Sequence, residues 1–197
     1  NRLDICDEEA LTKFIIDLQP DFVFHLAAQS LVRRSYSDPI TTWLTNVMGT
    51  VNLLNALKNV SNPCVAIFVT SDKSYDNVEW EWGYRETDKV GGPDPYSASK
   101  GAAELAISSY TKSFFRTNDK VRIGVGRAGN VIGGGDWADD RIVADCVRAA
   151  SNNQIVSLRN PSATRPWQHV LEPLSGYLTL AMNLKNQPNL HGEPFNF

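Results

Sequence analysis

Apolar residues follow two different patterns along the chain. Near-continuous apolar runs occur in "DFVFHLAAQS", "PCVAIFVTS" and "VRIGVGRAGN", which is typical of strands buried on both faces of a parallel sheet. Elsewhere apolar residues recur at helical spacing, which predicts helices over 7–20, 38–59, 96–116, 139–153 and 173–186. The alternation predicts an α/β fold, a doubly wound parallel sheet with helices on both faces. The closing "GEPFNF" predicts the start of a further strand.

The residues that follow the predicted strands are the first candidates for a binding site, because ligands bind beyond the carboxyl ends of parallel strands. Ala27, Ala28 and Gln29 follow the first run. The small side chains would let a flat ligand approach the backbone, or they would simply let the strand pack against a helix. Residues 70–73, "TSDK", follow the second run and indicate either a site or a plain turn.

The composition excludes several classes of protein. A net charge of −3 leaves no basic surplus for binding nucleic acid, and no apolar run approaches the roughly 20 residues that span a bilayer. Cys6, Cys64 and Cys146 are odd in number and far apart, so we expect reduced thiols, without a disulfide framework or a metal site. With 42% hydrophobic residues, the sequence predicts a cytoplasmic protein with a substantial core.

Tyr96 and Lys100 stand four residues apart near the start of a predicted helix, so they share one helical face. A phenol has a pKa of about 10 and is a weak base at neutral pH, but a fixed positive charge beside it favours the phenolate. Such a tyrosine can accept a proton from an alcohol, and Ser71 could contribute a hydroxyl to the same oxygen. The alternative is an ordinary exposed pair, since this spacing is by itself a weak signal.

The order of "HLAAQS", "TSDKSY", "YSASK" and "RAGNVIGGGDW" resembles the extended short-chain dehydrogenase/reductases that act on nucleotide-activated sugars. "YSASKGAAEL", "GRAGNVIGGGDWADDRIV" and "ATRPWQHVLEPLSGYL" are similar, more narrowly, to the branch that dehydrates CDP-glucose. The resemblance implies a Rossmann-like fold with bound NAD, oxidation of the sugar at C4, loss of water across C5 and C6, and return of the hydride to C6. The implied product is a 4-keto-6-deoxy sugar, as in the biosynthesis of lipopolysaccharide O-antigen.

The resemblance also implies catalytic roles. Tyr96 would take the proton of the 4-hydroxyl, Lys100 would lower the tyrosine pKa and hold the nicotinamide ribose, and Ser71 would orient the sugar oxygen. Asp72 matches the acid that protonates the departing 6-hydroxyl. Lys73 is a departure from the pattern. At this position the better-known dTDP-glucose enzymes are expected to have a glutamate, the base for the C5 proton. Lys73 would assist elimination as a neutral amine or electrostatically, or it would only pair with a nearby carboxylate.

Further residues match the cofactor and substrate sites of these enzymes. Asp4 matches an acid that accepts from the adenine amino group, although it could equally cap a helix. The arginines offer planar donors for phosphate, although each could be an ordinary surface residue. The implied cofactor-binding residues are Asp4, Ile5, Leu26, Ala27, Ala28, Gln29, Thr45, Asn46, Tyr96 and Lys100. The implied substrate-binding residues are Arg34, Ser71, Asn130, Arg141 and Arg165.

The expected organisation is a dinucleotide-binding Rossmann-like domain over residues 1–130 and part of a nucleotide-sugar-binding region, with interleaved Rossmann elements, over 131–197. In this family a Gly-rich βα unit would precede Asn1 and more of the sugar-binding lobe would follow Phe197, so we expect a piece of a longer protein. The resemblance also implies a homodimer that pairs through the helices containing Asn46 and Tyr96.

Competing functions remain at this point. A nucleotide-sugar 4-epimerase needs Tyr96 and Lys100 but has no use for Asp72 and Lys73. A non-catalytic protein that only binds a dinucleotide or a sugar nucleotide has no need of a tuned phenol. The presence of Ser71, Tyr96 and Lys100 together argues against this alternative.

Overall fold

The computed structural model describes residues 2–116, 120–158 and 160–197. Its main sheet has four parallel strands in the order β1-β2-β3-β6. A second sheet pairs β4 with β5, also in parallel. The predicted parallel sheet is therefore confirmed. The strands are β1 (Phe22–His25), β2 (Cys64–Val69), β3 (Val121–Arg127), β4 (Asn130–Ile132), β5 (Trp167–His169) and β6 (Pro194–Asn196).

Helices occupy the segments for which helical spacing was found. The predicted long helix is a continuous run in which a π-helical segment, Leu44–Met48, separates two α-helical parts. A second π-helical segment, Thr111–Phe115, extends the helix that carries Tyr96. The α-helices are α1 (Glu8–Leu18), α2 (Val32–Ser37), α3 (Pro39–Trp43), α4 (Gly49–Leu57), α5 (Pro95–Tyr110), α6 (Ile142–Ser151) and α7 (Leu171–Asn186), with 3₁₀ turns at Asp72–Ser74 and Pro188–Leu190.

Aspartate side chains cap three of these helices at their N-termini. The carboxylates of Asp7, Asp38 and Asp94 accept from backbone N–H groups in the first turns of α1, α3 and α5. Proline occupies the first position of both α3 and α5, where no backbone N–H is required. The start of α5 is thus fixed just before Tyr96.

The sheet has an apolar layer on each face. On β2, Ala66 and Phe68 belong to a core built mainly with α1, α4 and α5. Val65 and Ile67 point the other way and pack with α7. Burial on both faces explains why β2 is a continuous apolar run, and it confirms the doubly wound arrangement.

Three short elements were not predicted. These are α2 and the β4–β5 pair, in which Asn130–Ile132 lie beside Trp167–His169. The short strands are mostly half-buried or exposed, so they carry no apolar run. By contrast, the closing strand β6 was predicted, and it pairs with β3. Among the helices that the structure describes, none is both long and apolar enough to cross a bilayer.

Candidate functional site

The turn after β2 keeps its hydrogen bonding to β3 beyond the end of the strand. Thr70 N donates to Gly126 O (2.8 Å) and Asp72 N donates to Ala128 O (3.1 Å). Ser71 begins the 3₁₀ turn: its Oγ accepts from Lys73 N (3.2 Å) and donates to Asp72 Oδ1 (3.0 Å). This stretch is therefore a rigid turn that presents a hydroxyl and a carboxylate side by side.

Helix α5 places Tyr96 and Lys100 inside the molecule. Tyr96 is 8% exposed and Lys100 is 7% exposed. The alternative of an ordinary exposed pair is therefore wrong. Ser71, Asp72 and Arg141 lie close enough to the Tyr96 phenol to act on its pKa.

The pKa of Tyr96 is raised, because burial disfavours the phenolate more than the hydrogen bond from Ser71 and the charge of Arg141 favour it. The carboxylates of Asp72 and Asp94 raise it further. From the sequence we expected Lys100 to lower the pKa of Tyr96. In the chain alone that pKa is raised instead. The reason is that the cost of burial was not visible in the spacing of the two residues.

The ammonium of Lys100 is buried with little to hold it. Within the described residues its hydrogen bond is a long one, 3.5 Å from Nζ to Val69 O. Burial lowers its pKa to about 8, and the carboxylate of Glu104 one turn later opposes that shift. A buried ammonium with unused donors can donate hydrogen bonds to oxygen atoms of a bound molecule.

A network of neutral polar groups, here called the amide network, holds the loop after β1 against α5. Asn46 Oδ1 accepts from Gln29 N (2.8 Å), and its Nδ2 donates to Gln29 O (3.1 Å) and Ser99 Oγ (2.9 Å). Gln29 Nε2 donates to Thr42 Oγ1 (2.9 Å), and Ser99 Oγ donates to Tyr96 O (2.7 Å). Asn46 therefore positions the loop after β1 and helix α5 relative to each other.

The same loop exposes small groups to solvent. Leu26 is 52% exposed, Ala27 is exposed and Ala28 is half-buried. Ala28 borders an open cleft whose wall also includes Thr45 and Arg34. The structure thus brings most of the predicted cofactor-side residues to one surface beside α5.

Asp4 is not a helix cap, because Asp7 caps α1. Asp4 Oδ1 instead accepts from Cys6 N (2.9 Å) in a local turn. Ile5 lies against α4: a Cβ on Gly49 would collide with its side chain, and Ile5 O accepts from Asn52 Nδ2 (3.0 Å). The exposed Asp4 carboxylate is left in a fixed position at the margin of the fold.

The predicted substrate-side residues are only partly brought together. Arg141 lies near Tyr96, donates to Ser30 Oγ (3.4 Å) and has its Nε 3.3 Å from Asp136 Oδ2. Asn130 is half-buried at the start of β4. Arg165 is exposed and donates to Thr164 O (2.6 Å), so the structure does not bring it to this group.

Lys73 is half-buried in the turn after β2. The structure shows no ion pair for its ammonium within residues 2–116, 120–158 and 160–197. The alternative that Lys73 only pairs with a nearby carboxylate therefore has no support in the described part of the chain. In the same ranges, no cluster of three or more histidine, cysteine, aspartate or glutamate residues could hold a metal ion.

Sequence reasoning missed a second buried set, here called the ion-pair network: Thr70, Tyr75, Glu104 and Arg127. Arg127 forms an ion pair with Glu104, and both side chains are buried. Thr70 Oγ1 donates to Glu104 Oε1 (2.7 Å), and Arg127 donates to Tyr75 Oη (2.7 Å). The available signal was a glutamate four residues after Lys100 and an arginine ending a buried strand.

Comparison with known proteins agrees with this architecture. A sequence model of the GDP-mannose 4,6 dehydratase family matches residues 1–190. The chain belongs to this family. It is 54% identical over 98% of its length to the CDP-glucose 4,6-dehydratase of Salmonella typhimurium, of which it covers 55%. The chain therefore spans about half the length of that curated relative, and the expected membership in the extended short-chain dehydrogenase/reductases is confirmed.

Solved structures show the same fold. RMD from Pseudomonas aeruginosa, complexed with NADPH, superposes with a TM-score of 0.82 at 26% identity, over 100% of this chain and 66% of that one. DesIV from Streptomyces venezuelae, a dTDP-glucose 4,6-dehydratase with NAD and DAU bound, superposes with a TM-score of 0.81 at 22% identity, over 98% of this chain and 56% of that one. The predicted Rossmann-like fold is thus confirmed.

Proposed function

We propose that the protein containing this chain dehydrates CDP-glucose to its 4-keto-6-deoxy product, using NAD. The observation that carries the proposal is a buried phenol, Tyr96, that lies beside the hydroxyl of Ser71 and the carboxylate of Asp72. An acid and a proton acceptor at one point are what oxidation followed by loss of water requires. The similarity to a CDP-glucose 4,6-dehydratase supports the choice of substrate.

The residues of the chain fit a bound dinucleotide. Lys100 has donors to spare for a ribose diol, and the small residues Ala27 and Ala28 leave the backbone open beside it. Asp4 offers a fixed acceptor for an adenine amino group. When bound, NAD would accept the hydride from sugar C4 and return it to C6. Solved structures of this fold hold either cofactor, NAD in DesIV and NADPH in RMD, and the choice of NAD rests on the similarity to a CDP-glucose 4,6-dehydratase.

Tyr96 would take the proton of the sugar 4-hydroxyl through its Oη, with Ser71 Oγ orienting the same oxygen. Because burial raises the pKa of Tyr96 in the chain alone, a further positive charge must act on the phenol in the working complex. In the chain alone Lys100 is not among the charges that act on Tyr96, so the proposal requires its ammonium to act on the phenol in that complex. The chemistry therefore depends on Lys100 remaining protonated when substrate is bound.

Asp72 and Lys73 would carry the elimination. A carbonyl at C4 makes the C5 proton acidic, so a base near the turn must take that proton and the resulting enolate must be stabilised, while Asp72 gives a proton to the departing 6-hydroxyl. The hydrogen bond from Ser71 holds the Asp72 carboxyl in place. Lys73 is half-buried in this turn and has no ion pair in the described residues; we propose that it assists this step, either as the base in its neutral form or by stabilising the enolate while another group takes the proton.

We also propose that Arg34, Asn130, Arg141 and Arg165 bind the sugar nucleotide, and that residues 1–130 serve the cofactor while 131–197 serve the sugar. The return of β6 to the main sheet supports the interleaving of the second region with the first. Arg141 has the strongest support, since its charge already acts on Tyr96. Arg165 has the weakest, because its hydrogen bond is local.

A homodimer in the cytoplasm is a further proposal. Ile40, Leu44 and Met48 are 70%, 48% and 45% exposed on the long helical run, and Leu105 is 62% exposed on α5. Such apolar side chains on neighbouring helices suit contact with a second copy. Sedimentation of the whole protein should give twice the monomer mass, and Leu44→Arg should halve it. The product would serve deoxysugar biosynthesis, such as that of O-antigen.

Incubation of the whole protein with CDP-glucose tests the function. We expect a 4-keto product, followed optically, with no net consumption of NAD. UDP-glucose and dTDP-glucose are the matched controls for base preference. An interconverted hexose without loss of water would identify a 4-epimerase, and binding without any product would identify a non-catalytic protein; either result would overturn the proposal.

A further inference from the structure

Glu104 is a buried carboxylate with partners at the end of β3 and directly after β2. Its Oε1 accepts from Thr70 Oγ1 (2.7 Å) and from Arg127 Nε (2.9 Å), and its Oε2 accepts from Arg127 Nε (2.9 Å) and Nη2. The side chains of Glu104 and Arg127 are 7% and 4% exposed. A carboxylate held in this way has one position.

Arg127 extends the same network to the turn that carries Asp72 and Lys73. Its Nη1 donates to Tyr75 Oη (2.7 Å) and to Glu86 O (3.0 Å). Its guanidinium carbon lies 4.6 Å from the centre of the Tyr75 ring. Tyr75 directly follows the 3₁₀ turn Asp72–Ser74. The ion-pair network therefore holds this turn from both ends, through Thr70 before Ser71 and through Tyr75 after Ser74.

Glu104 also lies one helical turn beyond Lys100, on the helix that carries Tyr96. We propose that Glu104 is a positioning residue for the reaction: its carboxylate fixes the Ser71 turn against α5 and keeps the buried Lys100 protonated. This inference rests on the proposed function for its meaning in catalysis. Its electrostatic part can be tested without turnover.

The charges that face Lys100 are few. His25 faces it from β1, where burial and the ammonium itself lower the histidine pKa to about 4, so that ring is neutral at physiological pH. Glu104 faces it from its own helix, with Arg127 of β3 bonded to that carboxylate. The long helical run, 39–57, has no ionisable side chain, the arginines of α2 are exposed, and Asp72 and Lys73 come from the turn after β2. Glu104 is therefore the charge that favours the ammonium.

The sign of the effect follows from linkage. The pKa of Lys100 is about 8 in the fold against about 10.5 in the unfolded chain, so between these pH values the unfolded state binds more protons. The free energy of unfolding therefore gains a component that rises with pH from about 8. Loss of the Glu104 charge lowers the folded pKa further, so the rise must begin at lower pH.

The experiment compares the pH dependence of the free energy of unfolding, by urea titration from pH 6 to 10, in the whole apoprotein and its variants. Glu104→Gln removes the charge and keeps the shape; we expect the rise to begin about one pH unit lower. Thr70→Val removes a hydrogen bond to the carboxylate without changing charge, and Glu104→Asp keeps the charge. Both should leave the onset of the rise unchanged.

Glu104→Gln with Arg127→Met serves if the single variant does not fold, because it leaves no buried charge unpaired. The double variant should still show the earlier onset, since Glu104 is the charge that acts on Lys100. The proposal is overturned if the onset does not move in the Gln variants, or if Thr70→Val moves it equally. If CDP-glucose is not a substrate but the onset moves as expected, only the proposed function fails.

Discussion

The two buried networks reach the same helix, α5, and differ in what holds them together. The amide network meets it at Ser99 through neutral groups, whereas the ion-pair network meets it at Glu104 through a full positive and a full negative charge. Neutral hydrogen bonds each contribute about 1 kcal/mol, while a buried charge that loses its partner costs several kcal/mol. The first network thus supports a loop at modest cost, and the second also sets the electrostatics of the helix that carries the chemistry.

The largest expected effect comes from Tyr96, which lies on the helix that both networks reach. Tyr96→Phe removes the proton acceptor, so turnover of CDP-glucose should fall by roughly 10²–10⁴-fold. The free energy of unfolding should change little, because the ring stays buried and the hydroxyl is not part of the core. Initial rates and urea unfolding of the same preparations check both statements. Ser108→Ala, on the same helix away from the turn, is the control for activity. Full activity of Tyr96→Phe would remove the chemical role of this residue.

Breaking the ion-pair network from one side should be the largest effect on stability. Arg127→Met leaves the Glu104 carboxylate buried and unpaired, so the free energy of unfolding should fall by about 3–5 kcal/mol. Chemical denaturation measures this loss. Adding Glu104→Leu should restore most of the stability, because no charge is then left unpaired. A double variant as unstable as the single one would mean that packing, not charge, holds this region.

The loss of stability at acid pH should come from the buried His25. His25 Nε2 lies 3.1 Å from Thr50 Oγ1, and burial lowers the histidine pKa to about 4 from its usual 6.5. Since the unfolded state binds more protons between these values, stability should fall by about 3 kcal/mol as pH drops from 6.5 to 4. His25→Gln should flatten this part of the stability profile. The test is urea unfolding at each pH, and an unchanged profile would contradict it.

The smallest expected effect is the loss of neutral hydrogen bonds. Asn46→Ala removes the bonds to Gln29 and Ser99 and should lower the free energy of unfolding by about 1–3 kcal/mol. The pH at which Lys100 titrates should stay where it is. A shift comparable to that of Glu104→Gln would erase the distinction between the two networks. Asn55→Ala, on the same helical run but half-buried and outside the amide network, is the matched control.

The sequence was a good guide where one physical signal dominates. The apolar run of β2 and the helix that begins near Tyr96 were both predicted, because burial on two faces and helical spacing leave clear patterns. It also predicted that Tyr96 and the Ser71 turn would meet, since both follow from the order of strands and helices. The family was identified from the same motifs.

Sequence reasoning failed where the signal depends on the third dimension. The direction of the Tyr96 pKa shift was wrong because burial is not written in the spacing of Tyr96 and Lys100. Glu104 and Arg127 were missed because 23 residues separate them along the chain. The sequence could not distinguish the three arginines of the predicted substrate site, because nothing in it shows where each side chain lies. Only the fold separates Arg34, Arg141 and Arg165.

The π-helical segment Leu44–Met48 carries one more consequence. Asn46 sits in the wider turn, and the wide turn allows Thr42 before it and Thr50 after it to face the interior as well. Deleting one residue there would make the helix regular and leave the faces of its two ends nearly as they are, because a wide turn accommodates one extra residue. What a shortened version of this helix would lose is the wide turn itself, and with it the backbone position from which Asn46 reaches both Gln29 and Ser99.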